Sequence, residues 1–515
     1  MFGRTLTLRA VPAVASSLSA QASACRACHR SATFFASPRM PLRAKLLAGQ
    51  QQRLLSISTQ EAYELFKPQP GDEPEDVVFN SLYGLRSITL NRPKKLNALN
   101  GSMIRKIAPR LIEWGKSDMA NVIVMKGAGD KAFCAGGDVA QLAQWNKEGP
   151  EGQKKSRDYF AQEYRLDHLI ATYNKPYIAF MDGITMGGGV GLSIHAPFRI
   201  ATERTVFAMP ETNIGFFPDV GASFFLPRMP GAVGTYLALT SARLKGANVF
   251  YAGIATHYLH STSLPRLESR LAELRFQDTD DLETRLRVIN ATIEEFVTGL
   301  PHDEPIQIAG ELREAIDRCF SHDSVDAIIR ALEAEEGSTK AWAQETLETL
   351  NKRSPIAVHV TLRQMRIGRA WNIHDTFLRE HAMASKFMAS HDFTEGVTAL
   401  LIEKRPVKWQ PATLAELSPE EAKRLTDEYF TVESNAPKLT LLNDVAYEEY
   451  PYNVFTVPTE EQVEAKVRAG KYTPKQILNM FLFERRHKQG VREVVSEILA
   501  RKTSVDAAGI AVWKY

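Results

Sequence analysis

Two glycine-rich stretches hold the groups in this chain best able to do chemistry: Ala132-Phe133-Cys134-Ala135-Gly136-Gly137-Asp138 and Gly183-Ile184-Thr185-Met186-Gly187-Gly188-Gly189. Each follows a short apolar run and reads as a strand leading into a turn. Glycine has no Cβ, so in such a turn a backbone N–H can come close to a ligand. Two N–H groups converging on one carbonyl oxygen form an oxyanion hole, and losing one such donor typically costs ~10²–10³ in rate. A carboxylate pair, Glu211 and Asp219, follows further along. Amides and acids in this combination suit an enzyme that stabilises an enolate or a tetrahedral oxyanion.

The elements that must position these residues can be read from periodicity and punctuation. Val77-Val78-Phe79 and Ser87-Ile88-Thr89-Leu90 flank Tyr83-Gly84 and predict a hairpin, ended by Asn91-Arg92-Pro93. Ser102 reads as the N-cap of a helix through Trp114, with Met103, Ile107 and Leu111 on one face. Val122-Ile123-Val124-Met125 is a buried-strand candidate that delivers the first glycine loop. Residues 153–172 read as a helix, and Pro176-Tyr177-Ile178-Ala179-Phe180 as the strand delivering the second loop. Gly189 to His195 suits a helix whose N-terminus points back at that loop. The alternation implies right-handed crossovers and a layered α/β core. From Leu267 to Glu403 the pattern is mostly helical, and Pro406-Val407-Lys408-Trp409-Gln410-Pro411 reads as a linker. No internal repeat is evident.

Leu90-Asn91-Arg92-Pro93-Lys94-Lys95-Leu96-Asn97-Ala98-Leu99-Asn100 resembles the CoA-binding opening of the enoyl-CoA hydratase/isomerase (crotonase) superfamily. Lys126-Gly127-Ala128-Gly129-Asp130, running into the Ala132–Asp138 loop, resembles its first oxyanion loop. Gly183 to Leu192, Phe207-Ala208-Met209-Pro210-Glu211-Thr212, Ile214 to Gly221 and Phe225-Leu226-Pro227-Arg228 resemble one branch of it, the 3-hydroxyisobutyryl-CoA hydrolases of valine breakdown. The resemblance spans roughly residues 75–410. It implies an α/β fold with a crotonase-type ββα spiral core, a mostly helical C-terminal region and an added helical extension. It also implies roles: Gly137 and Gly188 supply the oxyanion-hole N–H groups, Glu211 and Asp219 are the catalytic carboxylates, and Glu163 and Gly188 bind substrate. Lys94 and Lys95 stand where a cation meets the CoA phosphates, and either could be the one used. CoA is part of the substrate, so no cofactor is called for, and no metal-ligand spacing is visible. Relatives in this superfamily are commonly homo-oligomers.

Residue types then favour hydrolysis over hydration. The hydratase branch places a second glutamate two residues after its Gly-Gly-Gly, where this chain has Gly191. Instead Asp219 stands where the hydratases have a small residue. The expected reaction is cleavage of a short hydroxyacyl-CoA thioester, 3-hydroxyisobutyryl-CoA foremost, with Glu211 either attacking the carbonyl or activating a water. Two departures bear on the acyl pocket: Asp182 replaces a common histidine, and Gly221-Ala222-Ser223-Phe224 replaces a more glycine-rich run.

The chain of 515 residues is 44% hydrophobic and 24% charged, with a net charge of +3. Residues 1–60 carry eight basic and no acidic side chains, and residues 466–515 carry a net +7, which leaves −12 between them. The acidic body argues against a nucleic-acid surface over all of it, and no apolar run is long enough to span a bilayer. Residues 1–58 have the composition of a mitochondrial transit peptide, residues 59–410 form the hydrolase domain, and 411–515 an extension. Cys25-Arg26-Ala27-Cys28-His29 matches a haem-attachment pattern but falls in the segment expected to be removed. Cys134 reads as packing rather than as a nucleophile. Location in the mitochondrial matrix is the expectation.

In the extension Thr473-Pro474 starts a helix, and Ile477, Met480, Phe481, Val491, Val494, Ile498 and Leu499 form an apolar stripe. Arg485, Arg486, Lys488, Arg492, Arg501 and Lys502 are interleaved with it. Two readings stand: a helical hairpin covering the body with its basic groups solvated, or a docking tail. Fungal relatives of this hydrolase family occur in the small subunit of the mitochondrial ribosome, so the resemblance implies that subunit and its rRNA as a partner.

Overall fold

Val122, Ile123, Val124 and Met125 are all buried, as a parallel strand covered on both faces must be. In the computed structural model, which describes residues 54–431 and 438–514, this run belongs to β3 (Val122–Gly127). β3 lies in a six-stranded sheet of order β1-β2-β3-β5-β7-β10, with β1 Val77–Leu82, β2 Leu85–Leu90, β5 Tyr177–Met181, β7 Phe198–Ala201 and β10 His257–Tyr258. The predicted hairpin is β1 and β2, paired antiparallel from Val77↔Leu90 to Leu82↔Leu85. All the other neighbours in the sheet are parallel.

The glycine loops are not delivered by β3 and β5 themselves. After each long strand the chain turns into a three-residue strand of a second sheet, ordered β4 (Ala132–Cys134), β6 (Ile184–Met186), β8 (Val206–Ala208) and β9 (Leu244–Lys245). The pairs β3/β4, β5/β6 and β7/β8 therefore form a structural repeat that the sequence does not display as similarity. This two-sheet spiral is the crotonase-like α/β fold expected.

The first long helix is Gly101–Lys116, capped by Asn100 rather than Ser102. The Asn100 side chain accepts the Met103 N–H at 2.8 Å, whereas Ser102 Oγ accepts the Glu73 N–H at 3.0 Å. The helix read at 153–172 spans Pro150–Ala171, and that read from Gly189 spans Gly188–Ile194. The Pro406–Pro411 stretch is packed rather than free: Trp409 is buried and its Nε1–H donates to Lys352 O at 3.2 Å.

The described residues form one compact unit. The C-terminal segment lies against the rest of the unit through main-chain bonds, Ser56 N–H to Leu442 O and Ile373 N–H to Tyr447 O, and through Arg165 Nε–H to Thr440 O. Its helix Pro474–Glu484 is capped by Thr473 as predicted. Its basic residues are not simply solvated. Lys488 is buried against Glu294, and Arg501 is buried against Glu460 and Glu497, while Arg486 and Arg492 are exposed. No helix among the described residues is long and apolar enough to cross a membrane. The expected transit peptide up to Arg53, with Cys25–His29, lies outside the described residues.

Candidate active site

β4 and β6 are parallel neighbours in register Ala132↔Ile184 and Cys134↔Thr185, so the chain leaving each arrives beside the other. Gly136 (φ 119°) and Gly187 (φ 47°) take the left-handed conformations the two turns require. The first loop is pinned by Leu99 N–H to Gly136 O and Asp138 N–H to Leu99 O, both 2.8 Å, and by Asn97 Nδ2–H to Ala132 O at 2.8 Å. Those bonds use the residues on either side of the Gly137 N–H. Gly188 opens a helix, where the first N–H groups have no intrahelical acceptor. A Cβ on Gly188 would lie 3.3 Å from Gly137 N. The two amides read from the sequence are thus brought together.

Two acids stand against them, and the charge of a third acts on those two. β8 pairs with β6 in register Met186↔Ala208, so the turn after β8 starts Glu211 next to the second glycine loop. A Cβ on Gly187 would lie 3.0 Å from Glu211 Oε1. Glu163 comes from the helix Pro150–Ala171, its Oε1 2.5 Å from where a Gly188 Cβ would be. Asp219 accepts the Tyr164 O–H at 2.6 Å. Its loop runs through Val220 at φ 55°, a conformation a β-branched residue resists. The loop is clamped by Gln364 Nε2–H to Pro218 O at 2.6 Å and by Glu380, which accepts Gly221 N–H at 2.7 Å and Ser223 N–H at 2.9 Å.

Lys94 and Lys95 are not part of this cluster. Both are exposed, and Lys95 Nζ lies 3.4 Å from Asp138 Oδ2. Buried Arg92, unread in the sequence, ties Asp138 to Glu73 at 3.0 and 2.9 Å. Asp182 pairs with Arg204 and Thr202 rather than with the site acids. Burial pushes the Cys134 thiol up to about 12, so it does not ionise at neutral pH.

The sequence reading also missed Tyr164, Asp167 and Glu380. Asp167 stands four residues after Glu163, a spacing that puts both on one helix face. It is fully buried, and neither carboxyl oxygen has a hydrogen-bond partner among the described residues. Its Oδ2 would be 2.7 Å from a Cβ on Gly191. The place where a second glutamate was sought is therefore closed to any side chain, and a carboxyl from another helix stands beside it.

Glu163, Asp167, Glu211, Asp219 and Glu380 are all buried. Burial raises the pKa of each, and the charge on Asp219 adds to the rise at Glu163 and Glu211. Burial pushes Asp219 up to about 7 and Glu380 up to about 8. A first negative charge here makes a second harder to place. Between the unfolded aspartate pKa, roughly 4, and about 7 the fold holds a proton on Asp219 that the unfolded chain has released. Stability from this group is therefore present at low pH and lost as pH rises to neutrality. Asp219→Asn is expected to raise the melting temperature by about 2–5 °C at pH 8 and by little at pH 4.5, read by scanning calorimetry. A gain that grows toward low pH would contradict this.

Residues 85–426 match the family described as enoyl-CoA hydratase/isomerase. The chain belongs to that family. Within it, this protein is 45% identical to the mitochondrial 3-hydroxyisobutyryl-CoA hydrolase of Gallus gallus over 350 residues, covering 68% of this chain and 88% of that one. It is 64% identical over 490 residues to the small ribosomal subunit protein mS47 of Neurospora crassa, covering 94% of each. The crystal structure of a carnitinyl-CoA dehydratase from Mycobacterium thermoresistibile is similar at a TM-score of 0.62, with 34% identity, over 72% of this chain and all of that one.

Proposed function

We propose that this family member hydrolyses a short hydroxyacyl-CoA thioester, most specifically 3-hydroxyisobutyryl-CoA to 3-hydroxyisobutyrate and CoA. The observation that carries this reading is Glu211 beside the second of two adjacent glycine loops, with the Asp219 charge acting on it, while Gly191 is closed to a side chain. The thioester oxygen accepts the Gly137 and Gly188 N–H groups, which take up charge as the carbonyl carbon becomes tetrahedral. Glu211, ionised, either bonds to that carbon as the C–S bond breaks, giving an anhydride that water then cleaves, or removes a proton from the attacking water. Asp219, held by Tyr164, orients the acyl group or the water, and the departing thiolate is protonated to free CoA. Glu163 contacts the substrate from the neighbouring helix. No cofactor beyond the CoA of the substrate enters this scheme, and among the described residues none are grouped to hold a metal ion.

A second reading is compatible with the first: the protein is a component of the small ribosomal subunit in the mitochondrial matrix. The likeness to the Neurospora crassa protein supports it, because that likeness spans 94% of this chain whereas the hydrolase likeness spans 68%. Exposed Arg486 and Arg492 then face rRNA phosphates, and residues 1–58 act as the import signal.

One experiment reads both. Mitochondrial extract is sedimented through a gradient, and each fraction is blotted for the protein and assayed for thiol release from several short hydroxyacyl-CoA esters. Protein and thiol release are expected together in the small-subunit fractions. Protein left at the top would remove the ribosomal reading, and protein without thiol release in any fraction would remove the hydrolase reading.

A further inference from the structure

Val220 is the strained residue of the site. It follows Asp219 directly, is fully buried and stands at φ 55°, where a β-branched side chain crowds its own backbone. Strain of this kind persists only where the surroundings over-determine it, and it gathers at functional sites. Two of the restraints on Val220 come from one short element, the helix Gly188–Ile194 and the residue that ends it. A Cβ on Gly191 would lie 2.8 Å from the Val220 Cβ, so Val220 takes up the room that glycine leaves. His195, at the C-cap, bonds through Nε2 to Val220 O at 2.9 Å.

A carbonyl oxygen only accepts, so Nε2 carries the hydrogen. The ring is 1% exposed, and burial pushes it down to about 4, so neutral imidazole makes this bond at physiological pH. Its position is fixed from two further sides. A Cβ on Gly221 would lie 2.5 Å from both Cε1 and Nε2 of the ring, and Phe377 packs edge-on against it with 5.5 Å between centroids. Phe377 belongs to the helix Ile373–Phe387, which also carries Glu380, the acceptor of the Gly221 and Ser223 N–H groups. A carbonyl in this dry wall that lost its donor would be left unsatisfied, and the turn would have reason to leave its conformation.

We propose that His195 is a positioning residue: its bond to Val220 O holds the strained turn and so fixes the Asp219 carboxyl relative to the Gly188 amide at the other end of the same helix. The inference rests on the hydrolase reading of Asp219. One rigid piece then sets the spacing between amide and acid, rather than two loops that move independently.

Two measurements on the full chain test this. The first is thiol release from short hydroxyacyl-CoA thioesters. His195→Leu, which keeps bulk and loses the donor, is expected to lower kcat about 10²-fold. His195→Gln, whose amide N–H reaches about as far as Nε2–H, is expected to recover most of that loss. In Asp219→Asn the carboxylate to be positioned is gone, so adding His195→Leu is expected to cost less than about threefold more. The second is hydrogen exchange read by mass spectrometry. The amides of Gly221, Ala222 and Ser223 are expected to exchange at least about tenfold faster in His195→Leu than in wild type, and those of β3 at unchanged rates. Circular dichroism confirms folding, and His195→Asn, too short to reach Val220 O, takes the place of His195→Leu should that variant not fold. A kcat within about threefold of wild type, an undiminished loss in the Asp219→Asn background, or exchange that is unchanged in the turn or raised equally throughout the chain would overturn the proposal. A wild type that releases no thiol would remove the hydrolase reading alone, and exchange in the turn then decides whether His195 holds it.

Discussion

Glu211→Gln is expected to lower kcat for hydroxyacyl-CoA hydrolysis by about 10³-fold or more, with the fold intact. The two side chains share a shape, so the substitution removes charge and little else. Glu211 lies in a pocket where its Oε2 has no hydrogen-bond partner among the described residues and its Oε1 faces Gly187. The hydrogen bond the carboxylate accepts from its own backbone N–H is one an amide oxygen can also accept, whereas both routes of thioester cleavage need the charge: a neutral amide neither attacks the carbonyl nor takes a proton from water. Burial, with the neighbouring Asp219 charge, holds the acid well above its ordinary range, so its ionised form gains population at higher pH than that of a free glutamate. The wild-type rate is accordingly expected to climb as pH rises through the neutral range, and the residual rate of the variant to lack that limb. Thiol release followed over pH 5.5–9 reads both. A variant retaining more than a tenth of wild-type kcat would contradict the role given to Glu211.

Gly188→Ala tests the amides as directly as a side-chain change can. The new Cβ would sit 2.5 Å from Glu163 Oε1 and 3.3 Å from Gly137 N. The first distance is one that real Cβ atoms do not show, so either the glutamate or the loop must shift. Movement of the loop turns its N–H away from the oxygen it is meant to hold, and the expected loss in kcat/KM is ~10²–10³. Movement of Glu163 alone would show as a rise in KM with kcat preserved. An alanine variant with both kcat and KM at their wild-type values would contradict the roles given to this amide and to Glu163.

The parts of the site legible in the sequence are those compressed into contiguous stretches. Gly137 and Gly188 announce themselves because a backbone that must approach another backbone excludes every other residue type. Glu211 and Asp219 follow prolines that fix the local turn. Asp167 and Glu380 were not legible: on paper each is an acid in a helix and reads as surface, and only the packing of Pro150–Ala171 and Ile373–Phe387 against the loops makes them buried. Tyr164 is hidden in the same way, since its partner Asp219 comes from a distant loop. The three-residue strands β4 and β6 escaped notice because their residues also belong to the glycine motifs, leaving no room for a visible period. At the C-terminus, Lys488 and Arg501 look like the solvated groups beside them, and it is the distant Glu294 and Glu460 that turn them inward.

The most direct measurement of the central claim is the infrared carbonyl stretch of a ¹³C-labelled hydroxyacyl-CoA thioester bound to the Glu211→Gln protein. Two amides donating to that oxygen weaken the C=O bond, so the band is expected at lower frequency than in water, with most of the displacement lost when Gly188→Ala is added. A band at its aqueous position in the bound complex would contradict the claim that these two loops polarise the thioester.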